Sequence, residues 1–196
     1  MSFPQALADL TFENNKMASP VSTTTLLGRN KDHVSTHQPI PTMAQIMGAG
    51  GLPPQVVVIT CADPRCMPES FLGLQMGDAV TIRNAGGNIN MALPTVLAID
   101  CLLGLKEIMV VKHTDCGTLA YTDEGVKTVL AERAPSAKKE IEELYVGSIA
   151  GKTLEQGLKE QVGEVKAGQL LRPELKSSIR AFVYDLAQGG LTEVAV

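Results

Sequence analysis

No apolar run in this 196-residue sequence reaches the ~18 residues that a helical bilayer crossing needs, which excludes a helical membrane span. Positive charge is not in excess either. Lys and Arg number 17 against 21 Asp and Glu, and the net charge of −4 argues against a nucleic-acid-binding surface. The opening stretch MSFPQALADLTFENNK lacks the basic n-region and apolar h-region of a secretory signal. Its first base, Lys16, follows acidic residues, unlike a mitochondrial leader, so a cytoplasmic protein is expected. In that reducing compartment disulfides are rare. Cysteine is scarce, at four residues: Cys61, Cys66, Cys101 and Cys116. They are read as buried filler, metal ligands or catalytic groups. Hydrophobic residues make up 44% of the chain, enough for one packed domain.

Residues 1–54 are expected to form an N-terminal helix and an extended arm or loop. Phe3, Leu7, Leu10, Phe12 and Met17 suit a short amphipathic helix over residues 1–18. Residues 19–55 carry Ser22-Thr23-Thr24-Thr25 and Gly48-Ala49-Gly50-Gly51, and read as a loop with one helical turn near Thr42–Met47.

Residues 55–196 read as one α/β domain. The β-branched run Val56–Thr60 is a strand buried on both faces. Strands follow at Ala79–Arg83 and Glu107–Lys112, with a helix between them capped by Asn90 and stopped by Gly104. Helical patterns cover Thr122–Glu132, Ser136–Tyr145 and Thr153–Ala167. Ile179–Asp185 and Leu191–Val196 flank Ala187-Gln188-Gly189-Gly190, a hairpin signal. The expected architecture is a mainly parallel central sheet flanked by helices, with a C-terminal antiparallel edge hairpin.

Active residues of such sheets lie beyond the C-terminal strand ends. Two strands here end in metal-ligand residues: Cys61-Ala62-Asp63-Pro64-Arg65-Cys66 after the first, and His113-Thr114-Asp115-Cys116-Gly117 after the third. If the two strands are neighbours, Cys61, His113 and Cys116 converge. Two thiolates and one imidazole suit zinc, and three protein ligands leave the fourth tetrahedral position to water, as in catalytic sites. Cys66 is a competing ligand, and Cys101, inside a helical pattern, is read as core. Asp63 and Arg65 are either a surface ion pair or a working dyad. In a dyad, Arg holds the carboxylate bidentately and keeps it ionised beside the metal. Asp115 is read as a turn residue or an outer partner of the ligands. The N–H of Gly117 could bind an anion beside the metal. Gly86-Gly87 allows a tight turn, and a phosphate loop there lacks both the Lys-Ser/Thr and the dinucleotide spacing.

Cys61-x-Asp63-x-Arg65 together with His113-x-x-Cys116-Gly117, and Arg83-Asn84-Ala85-Gly86 between them, resembles the β-class carbonic anhydrases, most closely their small prokaryotic-type and fungal minor branch. The resemblance is clear from Val56 to about Glu124 and continues weakly to the terminal hairpin. It implies one zinc per chain on Cys61, His113 and Cys116, and reversible hydration of CO2 to bicarbonate through zinc-bound hydroxide. It also implies that Asp63, held by Arg65, orients that hydroxide or, in a closed state, takes the fourth zinc position. The implied assembly is a homodimer, or a tetramer formed by two dimers, with an N-terminal helix on the partner. Two departures stand out. Pro64 replaces the common Ser between Asp and Arg, and Leu52-Pro53-Pro54 stands where many members carry an anion-binding Gln. A more apolar pocket would suit CS2 or carbonyl sulfide, so a hydrolase of those compounds is the alternative enzyme. A zinc-stabilised interaction or sensor protein is the non-enzymatic alternative.

Overall fold

The computed structural model describes residues 21–196. The helix expected over residues 1–18 lies outside them. The chain divides into two units that part between Leu52 and Pro53.

The first unit holds α1 (Thr23–Val34) and α2 (Met43–Gly48). The turn expected near Thr42–Met47 is α2, closed by a capping box in which Thr42 and Gln45 exchange side-chain and backbone hydrogen bonds. The loop expected through Thr23–Val34 is instead a helix of 12 residues. Its start is fixed by Ser22, whose hydroxyl accepts from the Thr25 N–H at 3.2 Å. No residue of α1 is buried, and Leu26, Leu27 and Val34 lie exposed on it.

The second unit is built on a five-stranded sheet of order β2-β1-β3-β4-β5. The strands are β1 (Val56–Cys61), β2 (Ala79–Asn84), β3 (Glu107–His113), β4 (Ile179–Tyr184) and β5 (Leu191–Val194). β1 runs parallel to β2 and β3, and β3 parallel to β4. Only β5 is antiparallel, making the expected edge hairpin with β4. Register pairs Thr60 with Val111. The residues that follow, Cys61 and Lys112-His113, therefore leave the same edge of the sheet.

The helices are α3 (Pro68–Phe71), α4 (Ile89–Leu103), α5 (Asp123–Arg133), α6 (Lys138–Glu143), α7 (Leu154–Ala167) and α8 (Pro173–Ser177). α4 starts earlier than expected, because the cap is Asn88 and not Asn90. The buried Asn88 side chain accepts from the N–H groups of Asn90 and Met91. Gly104 ends α4 in the left-handed region, as the sequence implied. Cys101 of α4 is exposed, which corrects its reading as core. α7 carries its apolar residues on one stripe, Leu158, Val162 and Val165. These pack with Ala92 and Val96 of α4 and with Val57, Ile59, Ile108 and Val110 of the sheet in one buried cluster. Each such side chain contributes on the order of 1.5–3 kcal/mol by leaving water. This core makes the sheet a rigid frame, and its C-terminal edge carries the polar residues described next.

Candidate metal centre

β1 delivers Cys61 as its last residue and β3 delivers His113 as its last residue. Cys116 follows in the loop that enters a short 3-10 turn, Gly117–Leu119. All three are buried, and their ligand atoms lie within 4.8 Å of one another. The two sulfurs are 3.9 Å apart. A tetrahedral zinc with Zn–S bonds of ~2.3 Å requires an S···S edge of about 3.8 Å. The His113 ring is oriented by its Nδ1, which donates to the Thr114 carbonyl at 2.8 Å. Nε2 is then left as the acceptor nitrogen, fully buried and without a hydrogen-bond partner. An orphaned buried acceptor costs about 1–3 kcal/mol, and a cation between it and the two sulfurs removes that cost. The donor set therefore fits zinc.

The electrostatics of the two thiols agree. Cys116 is held well below the usual thiol range, first by its hydrogen bond with Cys61 and then by His113 and Thr118. Cys61 is pushed up by the same Cys116 contact and by burial. The two shifts run in opposite directions because the thiols contact each other, and a divalent cation between them favours the thiolate form of both. Burial opposes charge on His113, but the adjacent Cys116 outweighs it and raises the imidazole. Cys66 stands outside this group. Its buried sulfur pairs with the Thr60 hydroxyl at 3.0 Å, and burial pushes its thiol up.

Asp63 and Arg65 sit in the loop after β1. Arg65 grips both carboxylate oxygens, Nε to Oδ1 at 3.0 Å and Nη2 to Oδ2 at 2.8 Å, while its own N–H adds a bond of 2.8 Å to Oδ1. These bonds hold the Asp63 carboxyl down to about 2, against the upward push of partial burial. Asp63 Oδ2 lies 3.9 Å from His113 Nε2, so the carboxylate faces the ligand cluster. Asp115 adopts φ 55 between two ligand positions, and Arg65 binds its carboxylate at 2.8 Å and its carbonyl at 3.1 Å. One guanidinium therefore ties the two ligand loops together. Beside it opens a cavity of about 510 Å³, lined by Arg65, Thr114, Asp115 and Tyr184. An ideal Cβ on Gly117 would meet nothing within 4 Å, so the backbone there is open to a small molecule.

Sequence reasoning missed three contributors. Arg83 donates to the Cys61 carbonyl at 3.1 Å and the Asp63 carbonyl at 2.7 Å, fixing the first ligand loop from β2. Thr118 hydrogen-bonds the Cys116 sulfur at 3.1 Å. Lys112, fully buried, donates to the Gly86 carbonyl at 2.7 Å. The turn at Gly86-Gly87 belongs to this packing and not to a phosphate site. A Cβ on Gly87 would stand 2.6 Å from the Val111 carbonyl oxygen, and one on Gly86 would stand 2.8 Å from Thr118.

The family described as carbonic anhydrase matches residues 56–191. Beta-carbonic anhydrase 1 of Mycobacterium tuberculosis is 30% identical over 146 residues, which cover 73% of this chain and 85% of that one. A carbonic anhydrase structure from Glaciozyma antarctica superposes with a TM-score of 0.69 at 27% identity, over 92% of this chain and 98% of the other. The carbon disulfide hydrolase of Acidianus sp. is 46% identical over 70 residues, covering 35% of this chain and 34% of that one. The chain belongs to the β-carbonic anhydrase family, zinc-dependent lyases that interconvert CO2 and bicarbonate. Among the described residues no helix is long and apolar enough to cross a membrane.

Proposed function

We propose that this chain hydrates CO2 reversibly with one zinc per chain held by Cys61, His113 and Cys116, and that Asp63 and Arg65 are its working dyad. The observation that carries the reading is the orphaned, buried His113 Nε2 grouped with two buried sulfurs that lie 3.9 Å apart. Zinc supplies, when bound there, the Lewis acidity that makes water a nucleophile at neutral pH. Asp63, ionised at any pH well above about 2, is an acceptor and not an acid. Its Oδ2 accepts the hydrogen bond of the attacking water and so aims the oxygen lone pair at the carbon of CO2. Arg65 keeps that carboxylate fixed, which favours an arrangement with Asp63 off the ligand cluster. The Gly117 N–H is the donor we assign to an oxygen of the bicarbonate formed, and the proton leaves through the cavity beside Arg65. Stopped-flow CO2 hydration on protein of measured zinc content tests this. Zinc-loaded protein with no hydration above the uncatalysed rate refutes it.

A second reading is favoured by the likeness to the carbon disulfide hydrolase and by Leu52-Pro53-Pro54 in place of a polar anion contact. The same residues would then direct water at the carbon of CS2 or carbonyl sulfide. Sulfide release from CS2 separates the two.

The assembly we infer is a homodimer or a dimer of dimers. An isolated helix of 12 residues is marginal in water. Among the described residues none of α1 is buried, and Leu26, Leu27 and Val34 lie exposed on it, so a second copy is the partner we assign to it. The cytoplasm is the compartment we assign, because the ligand thiols must stay reduced.

A further inference from the structure

We propose that Lys112 is a positioning residue for the metal centre, whose buried Nζ fixes the Gly86 turn that packs against Thr118, the partner of the Cys116 sulfur. This rests on the reading that Cys61, His113 and Cys116 hold zinc.

Lys112 is 2% exposed, and lysine is almost never fully buried without a partner. Burying an ammonium is costly, and its hydrogen bond among the described residues is to one backbone carbonyl, that of Gly86. That one bond ties the strand that ends in His113 to the turn that packs against Thr118.

Its hydrogen bond also has a direction that matters. β1 lies between β2 and β3, so Lys112 of β3 reaches past the end of β1 to the turn that follows β2. Gly86 has φ 70, a Cβ on it would stand 2.8 Å from Thr118, and Thr118 holds the Cys116 sulfur at 3.1 Å. Lys112 thus acts on the Cys116 sulfur through one turn, by the Gly86–Thr118 contact.

The test compares wild type with Lys112→Met, which keeps the stem and removes the charge and donors. Three quantities are read: zinc Kd by chelator competition, the thiolate-to-metal absorption of the cobalt(II)-substituted protein, and the Tm of the zinc-free protein. Zinc binding should weaken roughly 10–100-fold, the usual loss for a partner behind a ligand. The cobalt band should shift. The zinc-free Tm should stay the same or rise, because an ammonium without a carboxylate leaves the interior. Lys112→Leu gives the same reading if the Met variant does not fold. Wild-type zinc affinity and an unchanged cobalt band in the variant overturn the proposal, as does zinc loss matched by an equal fall in zinc-free stability. Failure of the wild-type protein itself to bind zinc would instead overturn the zinc reading beneath it.

Discussion

Replacing Arg65 by Ala releases the carboxylate on which the proposed chemistry turns. Three side-chain nitrogens leave at once: Nε and Nη2 from Asp63, and Nη1 from Asp115. Asp63 then keeps only the bond from the backbone N–H of position 65, so it is free to turn from the ligand cluster or onto it. CO2 hydration should fall about 10–100-fold with zinc content unchanged, because no ligand is touched. Arg65→Lys should recover little, since an ammonium cannot grip both carboxylate oxygens. Stability should respond as well. The usual carboxyl value of 3.8 drops to about 2 in the folded protein, which corresponds to ~2.4 kcal/mol at full strength. Arg65 is half exposed, and solvent screening reduces this to about 1 kcal/mol. Because the folded value lies below the unfolded one, the contribution is present above pH ~4 and is lost as pH falls toward 2. The variant should therefore be less stable than wild type at pH 7, and the difference should close in acid. Stopped-flow hydration with metal analysis, and denaturant unfolding at pH 7 and pH 3, are the assays. An Arg65→Lys protein with full activity and an unchanged acid profile would refute the dyad.

Cys116→Ser removes a thiolate ligand, and purified protein should carry well under half the wild-type zinc by elemental analysis; full occupancy would sink the ligand assignment. Gly87→Ala forces a side chain into φ 58 and against the Val111 carbonyl oxygen, costing roughly 2–4 kcal/mol and lowering Tm by about 5–15 °C; an unchanged melting curve would contradict the close packing of that turn. Leu27→Glu places a charge on the exposed face of α1 and should shift the assembly toward monomer at low concentration. Identical light-scattering masses for this variant and wild type would count against α1 as a dimer contact.

The site was legible because its ligands sit at strand ends. A continuous β-branched run ending in Cys61, and a mostly apolar strand ending at His113, can be read locally. Only the adjacency of β1 and β3 had to come from the structure. The pairing of Asp63 with Arg65 was legible for the same reason: both share one short loop with Cys61. What stayed hidden acts across strands. Arg83 and Lys112 look like ordinary strand residues until β2 and β3 are placed on either side of β1. Cys101 was misjudged because α4 is apolar on most of its surface, which leaves periodicity unable to say which side is covered. α1 was misjudged because Thr23-Thr24-Thr25 and Gly28 are weak helix formers, and the local Ser22 cap decides against that weak propensity.

Cys61 and Cys116 lie 55 positions apart in the chain, yet their sulfurs meet at 3.9 Å. The β2–α4 crossover fills that interval, so the ligands meet only after a parallel pairing of distant strands, a slow kind of contact to form. On the ligand set proposed above, metal capture is a late event in the biogenesis of this protein. The ion cannot act as a nucleus, as it does in small zinc modules whose ligands are neighbours in sequence. The polypeptide instead reaches a near-native state with its thiols bare, and between folding and metallation it depends on a reducing medium and a ready zinc supply.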